Sequence, residues 1–250
     1  MNNNYQKKNY NRNFAEFYNK FLTGQAKNYG EFIAEFLETK VKDRSIADFM
    51  CGTGNLLKIF EEKNWETMGV DISNEMLEIA ARNLKNTELI SADVTDFTSK
   101  KCYSAIVSTA DAFNHLQTLE DIRDTFKSIY SSLKTGGYLI FDMNTPFGIK
   151  KNCFYISSSD DEGLVIREGF IDEQNGVGFT RFQGFFRKNV EEVYSRFDAT
   201  IYNYIYEIDK IREMLINSGF SNIQIKDGYS DENWNYENTE RVLFICQKEE

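Results

Sequence analysis

The sequence predicts an α/β fold: a doubly wound, mostly parallel seven-stranded sheet with an inserted antiparallel β meander. Three observations predict it. Short apolar runs ending near an acid alternate with amphipathic helical runs from about residue 45 to 143, the pattern of βαβ units with right-handed crossovers. A turn carrying two glycines, Cys51-Gly52-Thr53-Gly54, separates the first strand from its helix. Between 164 and 204 the helical runs give way to aromatic-rich extended runs joined by turn-forming clusters.

Residues 1–12 are rich in Asn and Lys and are expected to be frayed. Phe14, Phe17, Tyr18 and Phe21, and then Ile33, Phe36 and Leu37, recur at helical spacing, predicting leader helices over 14–22 and 29–37. The first strand runs to Asp48 and the helix after the glycine turn covers 56–61. Strands follow over 65–71, 88–92 and 105–109, then a helix over 119–133 and a fifth strand over 138–143 after the Gly136-Gly137 turn. A helix over 208–217, stopped by Ser218-Gly219, precedes two last strands over 222–226 and 241–247. The insert reads as strands over 164–171, 178–186 and 191–204. The expected organisation is one domain, with a helical leader over 13–40, a core over 41–145 and 207–250, and inserted strands over 164–204.

Glycines at a strand-to-helix turn let main-chain N–H groups approach a ligand, and the new helix offers unsatisfied donors to anything anionic. The second strand ends at Asp71, near the roughly 20-residue offset at which doubly wound folds place a ribose-binding acid. The third runs into Asp93. Asp48, Asp71 and Asp93 would therefore line the carboxyl edge of one sheet, where ligands of open α/β sheets bind. Each also suits a cap or turn.

Asp48-x-x-Cys51-Gly52-Thr53-Gly54-Asn55, Val70-Asp71-Ile72-Ser73-x-x-Met76-Leu77 and Ala92-Asp93-x-x-Asp96-Phe97 resemble successive cofactor motifs of class I S-adenosylmethionine (SAM)-dependent methyltransferases, a Rossmann-like family. The likeness continues through Ser104–Ser108 and Leu133-x-x-Gly136-Gly137-Tyr138-Leu139-Ile140-Phe141-Asp142, so it covers about residues 10–145. Met50 departs from it, standing where the family usually has Gly or Ala. Small-molecule and sugar N-methyltransferases are similar through the core and the inserted strands.

The resemblance implies SAM as methyl donor and S-adenosylhomocysteine (SAH) as product. It places Gly52 and Gly54 against the methionine part, Asp71 on both ribose hydroxyls, Ile72 and Met76 on the adenine, and Asp93 on its exocyclic amine. Asp48, Cys51, Val94 and Thr109 join the expected cofactor wall. Tyr18 and Tyr29 match tyrosines of a leader that folds over the pocket, with Asn19 where the family commonly has Asp. Cys51 is read as a small packing residue rather than a reactive thiol. A nicotinamide enzyme uses a similar turn, but Leu56 and Leu57 stand after Asn55 and the third glycine of the dinucleotide fingerprint is missing.

Two hundred and fifty residues with 41% hydrophobic content suffice for one sizeable core. A net charge of −10 disfavours a nucleic acid held by its backbone. No stretch reads as a signal peptide or membrane span, so a cytoplasmic protein without a membrane partner is expected. Cys51, Cys102, Cys153 and Cys246 form no C-x-x-C pair and predict no metal site. Monomer and homodimer both remain open.

Methyl transfer from a sulfonium is an in-line displacement that needs alignment and a shielded site rather than a protein nucleophile. A general base helps when the acceptor is a hydroxyl or protonated amine. The loop Thr109-Ala110-Asp111-Ala112-Phe113-Asn114-His115 is where the family lines the acceptor side. His115, the only histidine in the chain, and Asp111 are the candidates for base, and Phe113 for pocket wall. A lone histidine there also suits a structural role, capping or hydrogen-bonding at the following helix, and Asp111 also suits a partner for an amine. The aromatic stripe of the insert suits core packing, a lid or a dimer surface. Arg167, Arg181 and Arg196 suit a solvated strand face or an anionic acceptor. The expected function is methyl transfer from SAM to nitrogen or oxygen of a small-molecule acceptor. The alternatives are a tRNA or protein methyltransferase on the same fold, a non-catalytic SAM-binding sensor, and a nicotinamide oxidoreductase.

Overall fold

A computed structural model describes residues 11–188 and 193–249. The expected fraying of residues 1–10 and the expected strand start at Glu191 lie outside the described residues. Asn11 and Arg12, expected in the frayed stretch, instead start the first helix: the Asn11 side chain caps it by accepting from the Phe14 N–H.

The leader forms α1 (Arg12–Phe21) and α2 (Ala26–Glu38). Then follow β1 (Ser45–Phe49), α3 (Asn55–Glu62), β2 (Glu66–Asp71), α4 (Asn74–Asn83), β3 (Glu88–Ser91) and β4 (Tyr103–Ser108). Next come α5 (Leu119–Ser132) and β5 (Leu133–Asn144). After the insert, α7 (Ile208–Asn217), β10 (Phe220–Asp227) and β11 (Arg241–Lys248) close the core. The insert itself comprises α6 (Pro146–Lys151), β6 (Tyr155–Asp160), β7 (Gly163–Asp172), β8 (Val177–Arg187) and β9 (Tyr194–Tyr204).

The large sheet has the order β10-β11-β5-β4-β1-β2-β3. Strands β1 to β5 pair in parallel, and β11 runs antiparallel to both β5 and β10. Every residue of β1 is buried, as in a strand covered on both faces. Its alternation sorts Ala47 and Phe49 to one side, with Ile122 and Phe126 of α5 and Ile211 and Leu215 of α7. Ile46 goes to the other, with Ile33 and Leu37 of α2 and Leu57 and Phe60 of α3. The doubly wound sheet and the antiparallel insert are thus as expected.

Beyond shifts of a few residues at element ends, two departures from expectation stand out. β5 starts directly after α5 and runs through the glycine pair, where Gly136 takes φ +75° within the strand. The insert also has a fourth strand, β6, preceded by α6. β6 is exposed throughout and polar after its first two residues, so no apolar alternation marks it. α6 does carry a sequence signal, Thr145 as N-cap accepting from Gly148 N–H with Pro146 at the first helical position.

The four insert strands pair in sequence order as an antiparallel sheet. Phe17 of α1 stacks on Phe197 of β9 with ring centroids 4.0 Å apart, and Phe14 lies 6.3 Å from Phe182 of β8. Met76 and Ile79 of α4 complete this third core. Among the described residues no helix is long and apolar enough to cross a membrane.

Candidate active site

The sheet order reverses between β1 and β4, and a cavity of about 380 Å³ opens beyond the carboxyl ends of β1, β2 and β4. Its volume lies within the range of small-ligand sites. The glycine turn forms one wall. Met50 and Cys51 donate their N–H groups to the Val70 carbonyl at 2.7 and 3.0 Å, tying the turn to β2. Met50 has φ +66°, a left-handed conformation that disfavours an L side chain by about 1–2 kcal/mol, so the departure from Gly or Ala falls at a strained position.

Gly52 donates to Asp71 Oδ2 at 2.8 Å, and Ser73 N–H donates to Asp71 Oδ1 at 2.8 Å. A carboxylate has about four acceptor sites, so Asp71 keeps capacity for a further donor beside the backbone N–H groups. Burial pushes the Asp71 carboxyl up, while the Ser73 and Gly52 N–H groups pull it back. Asp48 is 2% exposed, and its Oδ1 has no hydrogen-bond partner among the described residues. Burial, then the neighbouring Asp71 and Asp142, push its carboxyl well above the usual carboxylate range.

Tyr18, Tyr29, Asp48, Cys51, Gly52, Asp71, Ile72, Met76, Thr109, Asp111 and His115, all anticipated, line this one cavity. Gly54, Asp93 and Val94 lie outside its wall. A Cβ on Gly54 would meet Leu84 Cδ1 at 2.5 Å, so that glycine allows α4 to approach the turn. Asp93 caps the following 3-10 turn by accepting from Thr95 N–H at 3.0 Å, and Val94 is buried in the sheet core. Phe113, expected in the wall, is fully buried 4.4 Å from Phe141, because the turn after β4 points it inward.

Burial first, and then Asp111, Asp71 and Asp48, push the Tyr18 phenol up, so it stays a donor. Cys51 is held as a thiol by burial and by Asp71 and Asp48. Its sulfur packs where Gly69 leaves room: a Cβ there would stand 2.8 Å from it. Asn19 Oδ1 accepts from Asn55 and Asn83, both at 2.9 Å, joining α1 to α3 and α4.

The acceptor side contains a network that the sequence did not disclose. Ala110 and Asp111 have φ +60° and +54°, and their N–H groups converge on the Asp142 carboxylate at 3.0 and 2.6 Å. Asp142 also accepts from Arg241 Nη1 and from the Tyr229 hydroxyl, both at 2.5 Å. Arg241 Nη2 reaches Asp111 Oδ1 at 2.7 Å. Tyr229 stacks on Tyr29 at 3.7 Å, which joins the network to the leader. The available signal was direction: β11 is antiparallel, so its first residue, Arg241, falls at the sheet edge where the parallel strands end. His115 Nδ1 lies 2.8 Å from the Tyr202 carbonyl. A carbonyl only accepts, so Nδ1 carries a proton and Nε2 is the ring nitrogen that can accept one.

Residues 46–137 match the family described as methyltransferase domain. A protein of Bacillus subtilis (strain 168) assigned provisionally as a methyltransferase, YqeM, is 28% identical over 246 residues, covering 94% of this chain and 96% of its own. The crystal structure of a SAM-dependent methyltransferase from Clostridium acetobutylicum ATCC 824 superposes with a TM-score of 0.81 at 27% identity. It covers 95% of this chain and 98% of that one. The chain is an enzyme with a methyltransferase domain. A further relative of this methyltransferase is the dTDP-3-amino-3,4,6-trideoxy-alpha-D-glucopyranose N,N-dimethyltransferase of Streptomyces venezuelae, 28% identical over 137 residues and covering 53% of this chain and 58% of that one. SAM is accordingly the cofactor. The site suits it: buried Asp71 keeps acceptor capacity, Asp48 has an orphan oxygen, and Gly52 leaves backbone open beside Tyr18, whose ring is 3.9 Å from a Cβ placed there.

Proposed function

We propose that this methyltransferase transfers the methyl group of SAM to a nitrogen or oxygen of a small-molecule acceptor by direct in-line displacement. One observation carries the proposal: a single cavity joins the glycine turn and Asp71 to His115 and to the insert residues Asn152, Arg167, Phe179 and Asn203. Donor and acceptor walls are therefore continuous and lined by residues of the leader and the insert. A metabolite-sized acceptor suits that volume, and the similarity to an amino-sugar N,N-dimethyltransferase favours an amine.

When bound, SAM supplies an electrophilic methyl group on a sulfonium. Asp71 would accept from the ribose hydroxyls, Ile72 and Met76 would pack on the adenine, and Asp48 would face a cationic or donor group of the methionine part. Gly52 exposes the backbone there. His115, held by Tyr202 through Nδ1, would take the acceptor's proton at Nε2. Asp111 is the weaker candidate for base, because its carboxylate is bound to Arg241 and thereby holds the loop.

The test is calorimetric titration with SAM, SAH and NAD, followed by SAH release during incubation with amine and alcohol metabolites. Micromolar SAM and SAH binding with turnover on small amines or alcohols is the expected result. Turnover only on tRNA or protein would overturn the acceptor class, and SAM binding without any turnover would favour a sensor. His115→Ala should retain SAM affinity and lose about 10²–10⁴-fold in kcat if Nε2 is the base. Unchanged kcat assigns His115 to structure alone.

A further inference from the structure

Arg167 of β7 lines the insert side of the cavity and is partly buried. Its guanidinium lies 4.1 Å from the Phe154 ring centroid and 5.9 Å from that of Phe182, and Nη1 donates to the Asn152 carbonyl at 3.0 Å. Among the described residues no carboxylate pairs with it. The insert's other two candidate arginines, Arg181 and Arg196, both reach Asp198 outside the cavity wall. The chain carries 39 acidic against 29 basic residues, so a cavity cation left without an acid is not explained by a shortage of carboxylates. Burial lowers the Arg167 pKa from its usual value, opposed only by Cys153. A desolvated charge without an anion is unfavourable, and a bound anion would offset that cost.

The guanidinium is also held in place. Gly169 N–H donates to the Phe154 carbonyl at 2.9 Å, and a Cβ at Gly169 would stand 2.4 Å from the Asn152 carbonyl oxygen. The segment 152–154 therefore lies tightly on β7 and fixes both the acceptor of Nη1 and the ring under the guanidinium. A planar cation with one N–H engaged and the rest of its fork uncommitted matches a carboxylate or phosphate. The cavity's other arginine, Arg241, is neutralised by Asp142 and Asp111. Acids thus line the sheet edge, and the uncompensated positive charge sits on the insert.

We propose that Arg167 anchors the acceptor through an oxyanion, a carboxylate or phosphate, carried away from the atom that is methylated. This rests on the cavity being the donor and acceptor site. The reactive nitrogen or oxygen would then face His115 and the sheet edge while the oxyanion engages the insert. Arg167 would select against uncharged analogues of the same acceptor, because they leave the partly buried cation unpaired.

The test is calorimetry on the full chain saturated with SAH, titrated with pyrophosphate, inorganic phosphate and acetate at constant ionic strength. One saturable anion site is expected in the wild type. Arg167→Met, which keeps an apolar stem against Phe154 and Phe182, should weaken it about ten- to a hundredfold. Arg167→Lys should restore part of the affinity, and Arg181→Met should leave it unchanged. Stronger phosphate than acetate binding assigns a phosphorylated acceptor, and the reverse a carboxylated one. Equal anion affinity in wild type and Arg167→Met, or no saturable anion site, overturns the proposal. SAH titration of the same proteins separates the failures. Normal SAH binding without an anion site overturns the role of Arg167 alone, whereas absent SAH binding to the wild type overturns the cavity assignment and this proposal with it.

Discussion

Asp71 and Asp48 are buried carboxylates on adjacent strands with opposite hydrogen-bonding states. Asp71 fastens the glycine turn to the start of α4 through Gly52 and Ser73. Asp71→Ala should therefore weaken SAM binding by about 1.5–3 kcal/mol, roughly ten- to a hundredfold, and also lower the Tm. Unchanged affinity by calorimetry would remove Asp71 from the site. Asp48 has the reverse character, since its orphan oxygen makes the ionised form costly. Its folded pKa lies above the unfolded value, so folding takes up a proton between the two, and stability contributed by this group falls as pH rises through that window. Asp48→Asn should raise stability above that window by about 1–3 kcal/mol and flatten the dependence of Tm on pH, while weakening SAM binding. Parallel thermal melts of both proteins from pH 4 to 8 decide it; a Tm difference independent of pH would contradict the assignment.

At the scale of elements, the loop after β4 is held by its neighbours rather than by its own preference. Two successive left-handed residues, Ala110 and Asp111, persist because their N–H groups bind the buried Asp142 of β5. Asn114 extends the same support: Nδ2 donates to the Asn144 and Tyr204 carbonyls at 3.2 and 3.1 Å, joining the loop to the end of β5 and to β9. Arg241 of β11 satisfies two carboxylates at once. Arg241→Met would leave Asp142 as a buried anion without its cation and should cost about 3–5 kcal/mol of unfolding free energy. Denaturant unfolding measures the loss. A cost under about 1 kcal/mol would mean that the Ala110, Asp111 and Tyr229 donors suffice.

Across the whole molecule, the cavity is closed by two segments outside the parallel core, the leader and the insert. They are packed on each other. Phe14 and Phe17 of α1 meet Phe182, Phe186 and Phe197 of the insert, and the next residue along α1 is Tyr18, which lines the cavity. Order in the leader, order in the insert and cofactor binding should therefore be coupled. Phe17→Ala should cost about 3–5 kcal/mol locally and weaken SAH binding although Phe17 lies outside the cavity wall. Hydrogen exchange should show faster exchange in both α1 and β9, with SAH restoring protection to both. Loosening of α1 alone would show that the two segments respond separately.

The sequence by itself determined the alternation of strands and helices, the glycine turn, and the acids Asp48 and Asp71 at the ends of neighbouring strands. These are local in period and spacing, so a single chain displays them. Eleven of the residues it proposed for the site also line the cavity, those at the sheet edge because a doubly wound sheet places the ends of its parallel strands together. Tertiary structure decided which side chains turn inward. Phe113 went to the core, Gly54 to the approach of α4, and Asp93 to capping its own turn. It also assembled Asp111, Asp142, Tyr229 and Arg241, which lie as far as 130 residues apart and meet only because β11 is antiparallel to β5. Arg167, Arg181 and Arg196 looked alike on one run of strands. Pairing with Asp198 and the direction of each side chain left Arg167, of these three, facing the cavity without an acid among the described residues, a distinction made by packing across strands and absent from local spacing.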